Sequence, residues 1–211
     1  MRILNPSFDI LSEFNREYIL KLIESAGRTC YRSEDKITED SASDFVRRIV
    51  RSGHLSVIEH ISVTVRIVCD RGVSHELVRH RLASYSQEST RYCNYAKKQF
   101  GDQGTGVGFI QPFWLTPEDK DIWRNAMEQA EGYYMCLLNK GWTPQQARSV
   151  LPNSTATEIV ITANLREWKT IFEQRCSQRA HPQMREAIVP IWNKFASELP
   201  EVFGIDIPQA V

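Results

Sequence analysis

Ile61, Val63, Val65 and Ile67 alternate with Ser62, Thr64 and Arg66. This strict period of two gives one apolar and one polar face, the pattern of a half-buried β-strand. Thr155 to Ala163 is a second strand candidate, rich in β-branched residues. Residues 2 to 11 alternate weakly around Pro6, which suits an edge strand or an extended lead-in.

Helical patterns fill the rest. Glu17 to Ala26 carries Tyr18, Ile19, Leu22, Ile23 and Ala26 at helical spacing and meets Gly27, read as its stop. Glu39 to Ser52 follows with Thr38 as N-cap and Gly53 as stop. Gly72 breaks the strong strand, and Val73, Leu77 and Val78 suggest a short helix. Thr116-Pro117-Glu118-Asp119 opens the longest helix, which runs to Lys140 with Ile122, Ala126, Ala130, Tyr133 and Leu137 as its expected buried stripe. Thr143 to Gln146 reads as a capping box before a short helix that ends ahead of Pro152. Asn164 caps a further helix with Glu167 completing a box and Leu165, Trp168, Ile171 and Phe172 inward. Pro182 opens the last, with Met184, Ile188, Ile191, Phe195 and Leu199 as core and a kink expected at Pro190. No repeat, low-complexity segment or linker interrupts the order. The expectation is one α/β (α+β) domain over residues 1–211, with a mainly antiparallel central sheet flanked by helices.

Twenty-six basic residues balance twenty-six acidic ones among 211, so no whole-chain field draws the protein to nucleic acid or an anionic membrane. There is no run of eighteen apolar residues and no long apolar stretch at Met1 to Pro6, which points to the cytoplasm. Cys30, Cys69, Cys93, Cys136 and Cys176 form no Cys-x-x-Cys pair and are expected to be free thiols, most of them buried. His75-Glu76 and His80 resemble a zinc signature, but five residues place the histidines roughly 140° apart around a helix, so no metal is expected. Gly101 to Gly108 lacks the Gly-Lys-Ser/Thr ending of a P-loop and reads as a flexible loop.

Chemistry concentrates in Arg79-His80-Arg81-Leu82-Ala83-Ser84-Tyr85-Ser86-Gln87-Glu88-Ser89-Thr90-Arg91-Tyr92. Guanidinium forks match phosphate or carboxylate oxygens, and the hydroxyls add short-range donors, so the composition suits an anionic, ring-bearing ligand such as a nucleotide. A solvated Arg/Ser-rich loop is the bland alternative. His54 and His60 precede the strong strand, where loops collect ligand groups, although a histidine there is more often structural. Arg148 has two readings, a helix-end partner or a ligand group. Arg166 and Arg175 lie nine residues apart, about 180° around a regular helix, and should not face one small ligand from one subunit.

Arg79-His80-Arg81 with Ser89 eight residues on resembles the signature of the flavin-dependent thymidylate synthases. His54-x-Ser56-x-x-Glu59-His60, Ala147-Arg148-Ser149-Val150-Leu151-Pro152, and Asn164-Leu165-Arg166 with Arg175 resemble further segments of that family in the same order. The resemblance spans roughly residues 50 to 190 and implies a homotetramer with a site shared between subunits. It implies reductive methylation of dUMP to dTMP, with 5,10-methylenetetrahydrofolate as carbon donor and NADPH reducing FAD. Carried over by position, Glu76, Arg79, Gln87, Ser89, Arg91, Arg148 and Arg175 fall on dUMP-binding positions. His54, Ser56, Arg79, His80, Arg81, Asn164, Arg166 and Thr170 fall on FAD-binding positions. Arg175 would act catalytically by stabilising negative charge on the uracil edge; His80 and its flanking arginines would hold the flavin's pyrimidine side. Ser89 has no local base to activate it and is assigned to binding. Glu76, Gln87 and Thr170 depart from the commoner residues, and a carboxylate at 76 disfavours a nearby phosphate. The rival readings are a nucleic-acid-binding module using Arg79 to Tyr92 and an inactive flavin-binding relative.

Overall fold

The computed structural model describes residues 1–97 and 105–204. Its strands are β1 (Arg2–Leu4), β2 (Ser7–Ile10), β3 (Ser62–Asp70), β4 (Ala83–Gln87), β5 (Gly108–Ile110) and β6 (Ala156–Asn164). Its helices are α1 (Arg16–Thr29), α2 (Ser41–Arg51), α3 (Arg71–Leu77), α4 (Pro117–Asn139), α5 (Pro144–Ala147), α6 (Leu165–Arg175), α7 (Pro182–Glu198) and α8 (Pro200–Phe203), with short 3₁₀ turns at Glu34–Lys36, Leu55–His60 and Arg148–Val150. The class is α+β. Four strands form an antiparallel sheet in the order β2-β3-β6-β4, and β1 pairs in parallel with β5, Ile3 opposite Phe109. No described helix is long and apolar enough to cross a membrane.

Backbone contacts divide the chain into two compact units. The first comprises Met1–Ser7, Ile67–Arg79 and the described part of Ser86–Ile159. Its core gathers Tyr95, Val107, Phe109, Met127, Tyr134 and Ala147. The start of α4 follows the expected chemistry: Thr116 accepts from Asp119 N, Asp119 returns the bond, and Pro117 opens the helix. Its buried stripe, however, is shifted by one position. Met127 and Tyr134 are buried with Trp123 and Leu138 packed beside them, while Ile122 and Tyr133 are 70% and 64% exposed. Both neighbouring stripes are apolar, so periodicity alone does not choose between them.

The second unit comprises Phe8–Arg66, His80–Tyr85 and the described part of Val160–Val211. Phe14, Trp168, Phe172, Phe195 and Phe203 pack ring against ring, with centroids 5.2 to 5.7 Å apart. Trp168 Nε1–H donates to the Val63 carbonyl at 3.0 Å, which satisfies the one polar atom of the indole. Met184, Ile188, Ile191, Phe195 and Leu199 are all buried, as their spacing predicts, and α7 runs through Pro190 as one helix. Glu201 is buried and held by Arg16, by Ser43 Oγ at 2.7 Å and by Arg47 at 3.7 Å.

Several boundaries differ from expectation. Gly27 does not stop α1, which continues to Thr29; a Cβ there would sit 2.7 Å from Phe45, so glycine permits close packing of α1 on α2. The cap of α2 is Asp40 rather than Thr38, and Ser41 Oγ accepts from Thr38 N instead. Gly72 lies in the first turn of α3, which Asp70 caps by accepting from Val73 N at 2.8 Å. Of the segment read as a flexible loop, 101–104 lie outside the described residues, and Gly108 opens β5. All five cysteines are free thiols, but only Cys69 and Cys176 are buried; Cys93 is half-buried and Cys30 and Cys136 are exposed.

Candidate functional site

The residues singled out fall into two constellations, one in each unit. In the first unit, the capping box Thr143/Gln146 starts α5, and the turn after it presents Arg148. Arg148 Nη1 donates to Thr90 Oγ1 at 3.0 Å. Its side chain thus reaches the Arg/Ser-rich stretch of Arg79 to Tyr92 instead of serving only the end of its own helix. Arg91 Nε donates to Gln145 Oε1 at 3.4 Å, and Ser89 Oγ accepts from Arg91 N at 3.3 Å. Arg71, His75, Thr90, Gln145 and Arg148 line a cavity of about 470 Å³. No carboxylate lines it among the described residues, so two guanidinium groups and an imidazole face an opening without a counter-charge of their own. Such a wall suits an anion.

A closed hydrogen-bond circuit sits beside it. Arg71 Nη1 donates to Thr157 Oγ1 at 3.3 Å, and Gln87 Nε2 donates both to Thr157 Oγ1 at 3.2 Å and to Ser74 Oγ at 2.8 Å. Ser74 Oγ–H returns to the Arg71 carbonyl at 3.0 Å. Thr157 and Ser74 are fully buried, so these bonds satisfy groups that water does not reach. Gln87 is thereby fixed at the end of β4, a strand that the Ser- and Gln-rich sequence does not announce. Glu76 and Arg79 follow at the end of α3 and just beyond it.

In the second unit, His54, Ser56 and Glu59 are exposed on and before the 3₁₀ turn that leads to β3. Arg166 Nη1 pairs with Glu59 at 2.5 Å. Asn164 Oδ1 accepts from Glu167 N at 2.9 Å as the cap of α6, and Thr170 Oγ1 donates to the Arg166 carbonyl. Arg81 is exposed. The helix is regular to Arg175, so Arg166 and Arg175 take different partners, as nine residues of helical rotation require.

Arg175 Nε–H donates to His80 Nε2 at 2.9 Å. A guanidinium has no acceptor, so Nε2 carries the lone pair and the ring proton lies on Nδ1. His80 Nδ1 lies 3.5 Å from Glu167 Oε1, a distance of electrostatic proximity without a hydrogen bond. The carboxylate expected to close a capping box lies near His80 instead. Burial and the Arg175 charge lower the His80 pKa to about 4, so the imidazole is neutral at neutral pH and brings no positive charge of its own. Burial raises the Glu167 carboxyl. Tyr85 O–H donates to the His80 carbonyl at 2.7 Å, fixing the backbone of the same residue; burial first, then Glu167, pushes its phenol up to about 12.

Thr90, Gln145, Arg71, Ser74, Thr157 and Glu167 are the participants that motif reading leaves out. Thr90 adjoins Ser89 and Gln145 sits in a capping box, so proximity to named motifs was the only sequence signal they carried.

The family model for thymidylate synthase complementing protein matches residues 16–201. The chain belongs to this family. A flavin-dependent thymidylate synthase from Geobacter sulfurreducens is 34% identical over 187 residues, covering 84% of this chain and 78% of the relative. Another from Corynebacterium efficiens is 34% identical over 194 residues, covering 87% and 78%. A third from Corynebacterium glutamicum is 32% identical over 219 residues, covering 94% and 84%. The matched span of this thymidylate synthase family member contains both constellations.

Proposed function

We propose that the chain is a flavin-dependent thymidylate synthase that converts dUMP to dTMP by reductive methylation, taking carbon from 5,10-methylenetetrahydrofolate and reducing equivalents from NADPH. The observation that carries the reading is the carboxylate-free cavity with Arg71 and Arg148 on its wall, together with membership of the family. Ser89, Arg91 and Arg148 take the dUMP phosphate through charge-assisted bonds. Gln87 and Arg79 orient the nucleotide, and Glu76 meets it at the ribose or through its backbone, away from the phosphate.

His54, Ser56, Arg79, His80, Arg81, Asn164, Arg166 and Thr170 hold FAD. The exposed donors among them, His54, Ser56, Arg81 and Arg166, fit an anionic dinucleotide in chemistry. When bound, FAD supplies the redox chemistry of the reaction. Arg175 stays protonated and stabilises negative charge on the uracil edge. The reading takes residues 1–211 as one functional domain, working in the cytoplasm as a homotetramer whose subunits share each site, with neither nucleic acid, membrane nor metal involved.

Purified protein should be yellow, with flavin absorbance that shifts when dUMP is added. Arg175→Ala should retain FAD and lose dTMP formation. A colourless protein that neither binds FAD nor oxidises NADPH overturns the function, and unchanged turnover of the variant overturns the role of Arg175.

A further inference from the structure

Glu167 is a carboxylate 7% exposed, on a helix whose N-terminus is already capped by Asn164. Burying such a charge is costly unless a partner compensates it, and the geometry beside it identifies what the cost supports. Its Oε1 faces Nδ1 of His80, whose own exposure is 5%, and the opposite ring nitrogen of His80 receives Nε–H of Arg175 at 2.9 Å. The other neutral tautomer would set an Nε2–H against the Arg175 Nε–H, donor against donor. A carboxylate 3.5 Å from Nδ1 favours electrostatically the tautomer with its proton on that nitrogen, and that tautomer alone can accept from Arg175.

We propose that Glu167 is a positioning residue for Arg175, acting through His80: it fixes the imidazole with its proton on Nδ1, so that Nε2 holds Arg175 Nε–H and sets the plane and direction of the guanidinium. The inference rests on the reading of Arg175 as the substrate-facing arginine. Tyr85 completes the support by pinning the His80 carbonyl. The proton stays on Nδ1 throughout, and no bond is made or broken.

The test uses the FAD-loaded enzyme and two variants. Glu167→Leu removes the negative oxygen beside Nδ1; Glu167→Gln keeps a carbonyl dipole that can still favour the proton on Nδ1. The expected result is a fall in kcat of roughly ten- to a hundredfold for the leucine variant, with FAD retained and the KM for dUMP changed far less, and recovery of most of that loss by glutamine. Ring-nitrogen NMR of ¹⁵N-histidine protein, with the His80 signal assigned through His80→Gln, should show Nδ1–H in the wild type and in Glu167→Gln and a tautomer mixture in Glu167→Leu. A wild-type His80 protonated on Nε2 overturns the proposal, whether or not the leucine variant folds. So does a leucine variant that turns over like wild type while Arg175→Ala is dead. If Arg175→Ala itself turns over normally, the underlying reading of Arg175 fails instead.

Discussion

Thr157→Val opens the hydrogen-bond circuit of the first unit while keeping a β-branched side chain of nearly the same shape. Thr157 Oγ1 accepts from Arg71 Nη1 at 3.3 Å and from Gln87 Nε2 at 3.2 Å, at 1% exposure. A hydrogen bond from a charged donor contributes about 1.5–3 kcal/mol and a neutral one about 0.5–1.5 kcal/mol. Arg71 is only half-buried and regains part of its loss from water, and Gln87 keeps Ser74 as a partner. The net cost should therefore be about 2 kcal/mol, below the sum of the two bonds. Urea unfolding at matched protein concentration should show a lower midpoint with an unchanged slope. The affinity for dUMP should fall as well, since Gln87 and Arg71 lose their common anchor. Thr157→Ser, which restores the hydroxyl, should recover much of both. A valine variant within about 0.5 kcal/mol of wild type, the usual scatter of an inconsequential substitution, would show that the circuit does not hold these side chains.

Two further outcomes follow from the second unit. Gly27→Ala would gain about 0.5–1 kcal/mol of helix propensity, but its Cβ would lie 2.7 Å from Phe45, a ring covered by Arg28 at 4.5 Å. Overpacking of about 1–3 kcal/mol should win, so thermal unfolding should show a lower midpoint, and an unchanged or raised midpoint would refute the packing role. His80 has a folded pKa of about 4 against 6.5 unperturbed. Between those values the unfolded chain binds a proton that the folded one refuses, so this contribution to stability is complete above about pH 6.5, falls as pH drops toward 4, and levels off below. Denaturant midpoints across that range should fall less steeply in His80→Gln, and parallel profiles would count against the buried neutral imidazole.

The legible parts of the sequence were those where one residue type has one physical use. Thr116-Pro117 with Asp119, and Thr143 with Gln146, form the expected capping boxes. Gly53 and Gly141 adopt φ of +76° and +89° where their helices end, a conformation that favours glycine. Gly27 shows that glycine has a second use, admitting a neighbouring ring, which depends on Phe45 eighteen positions away. The shifted stripe of α4 has a related cause. Ile122 and Tyr133 on one side and Trp123, Met127 and Tyr134 on the other are both apolar rows, and only the packed core distinguishes them. β4 went unseen because its Ala-Ser-Tyr-Ser-Gln run carries little strand propensity of its own.

The candidate site divides along the same line. Arginines and histidines announce themselves by type, but what they do depends on partners that lack a pattern. Type alone leaves Arg148 two readings, and its observed acceptor, Thr90, lies outside its own helix end. Glu167 had one reading, a helix box, because position N3 is a known use for glutamate, and the structure gives it another beside His80. The nine-residue spacing of Arg166 and Arg175 did predict divergent directions, and each guanidinium has its own partner, Glu59 and His80. The spacing could not tell that Arg175 would meet a neutral ring. A neutral imidazole orients the group without adding a charge of its own, which suits an arginine whose task is to stabilise negative charge on a bound substrate.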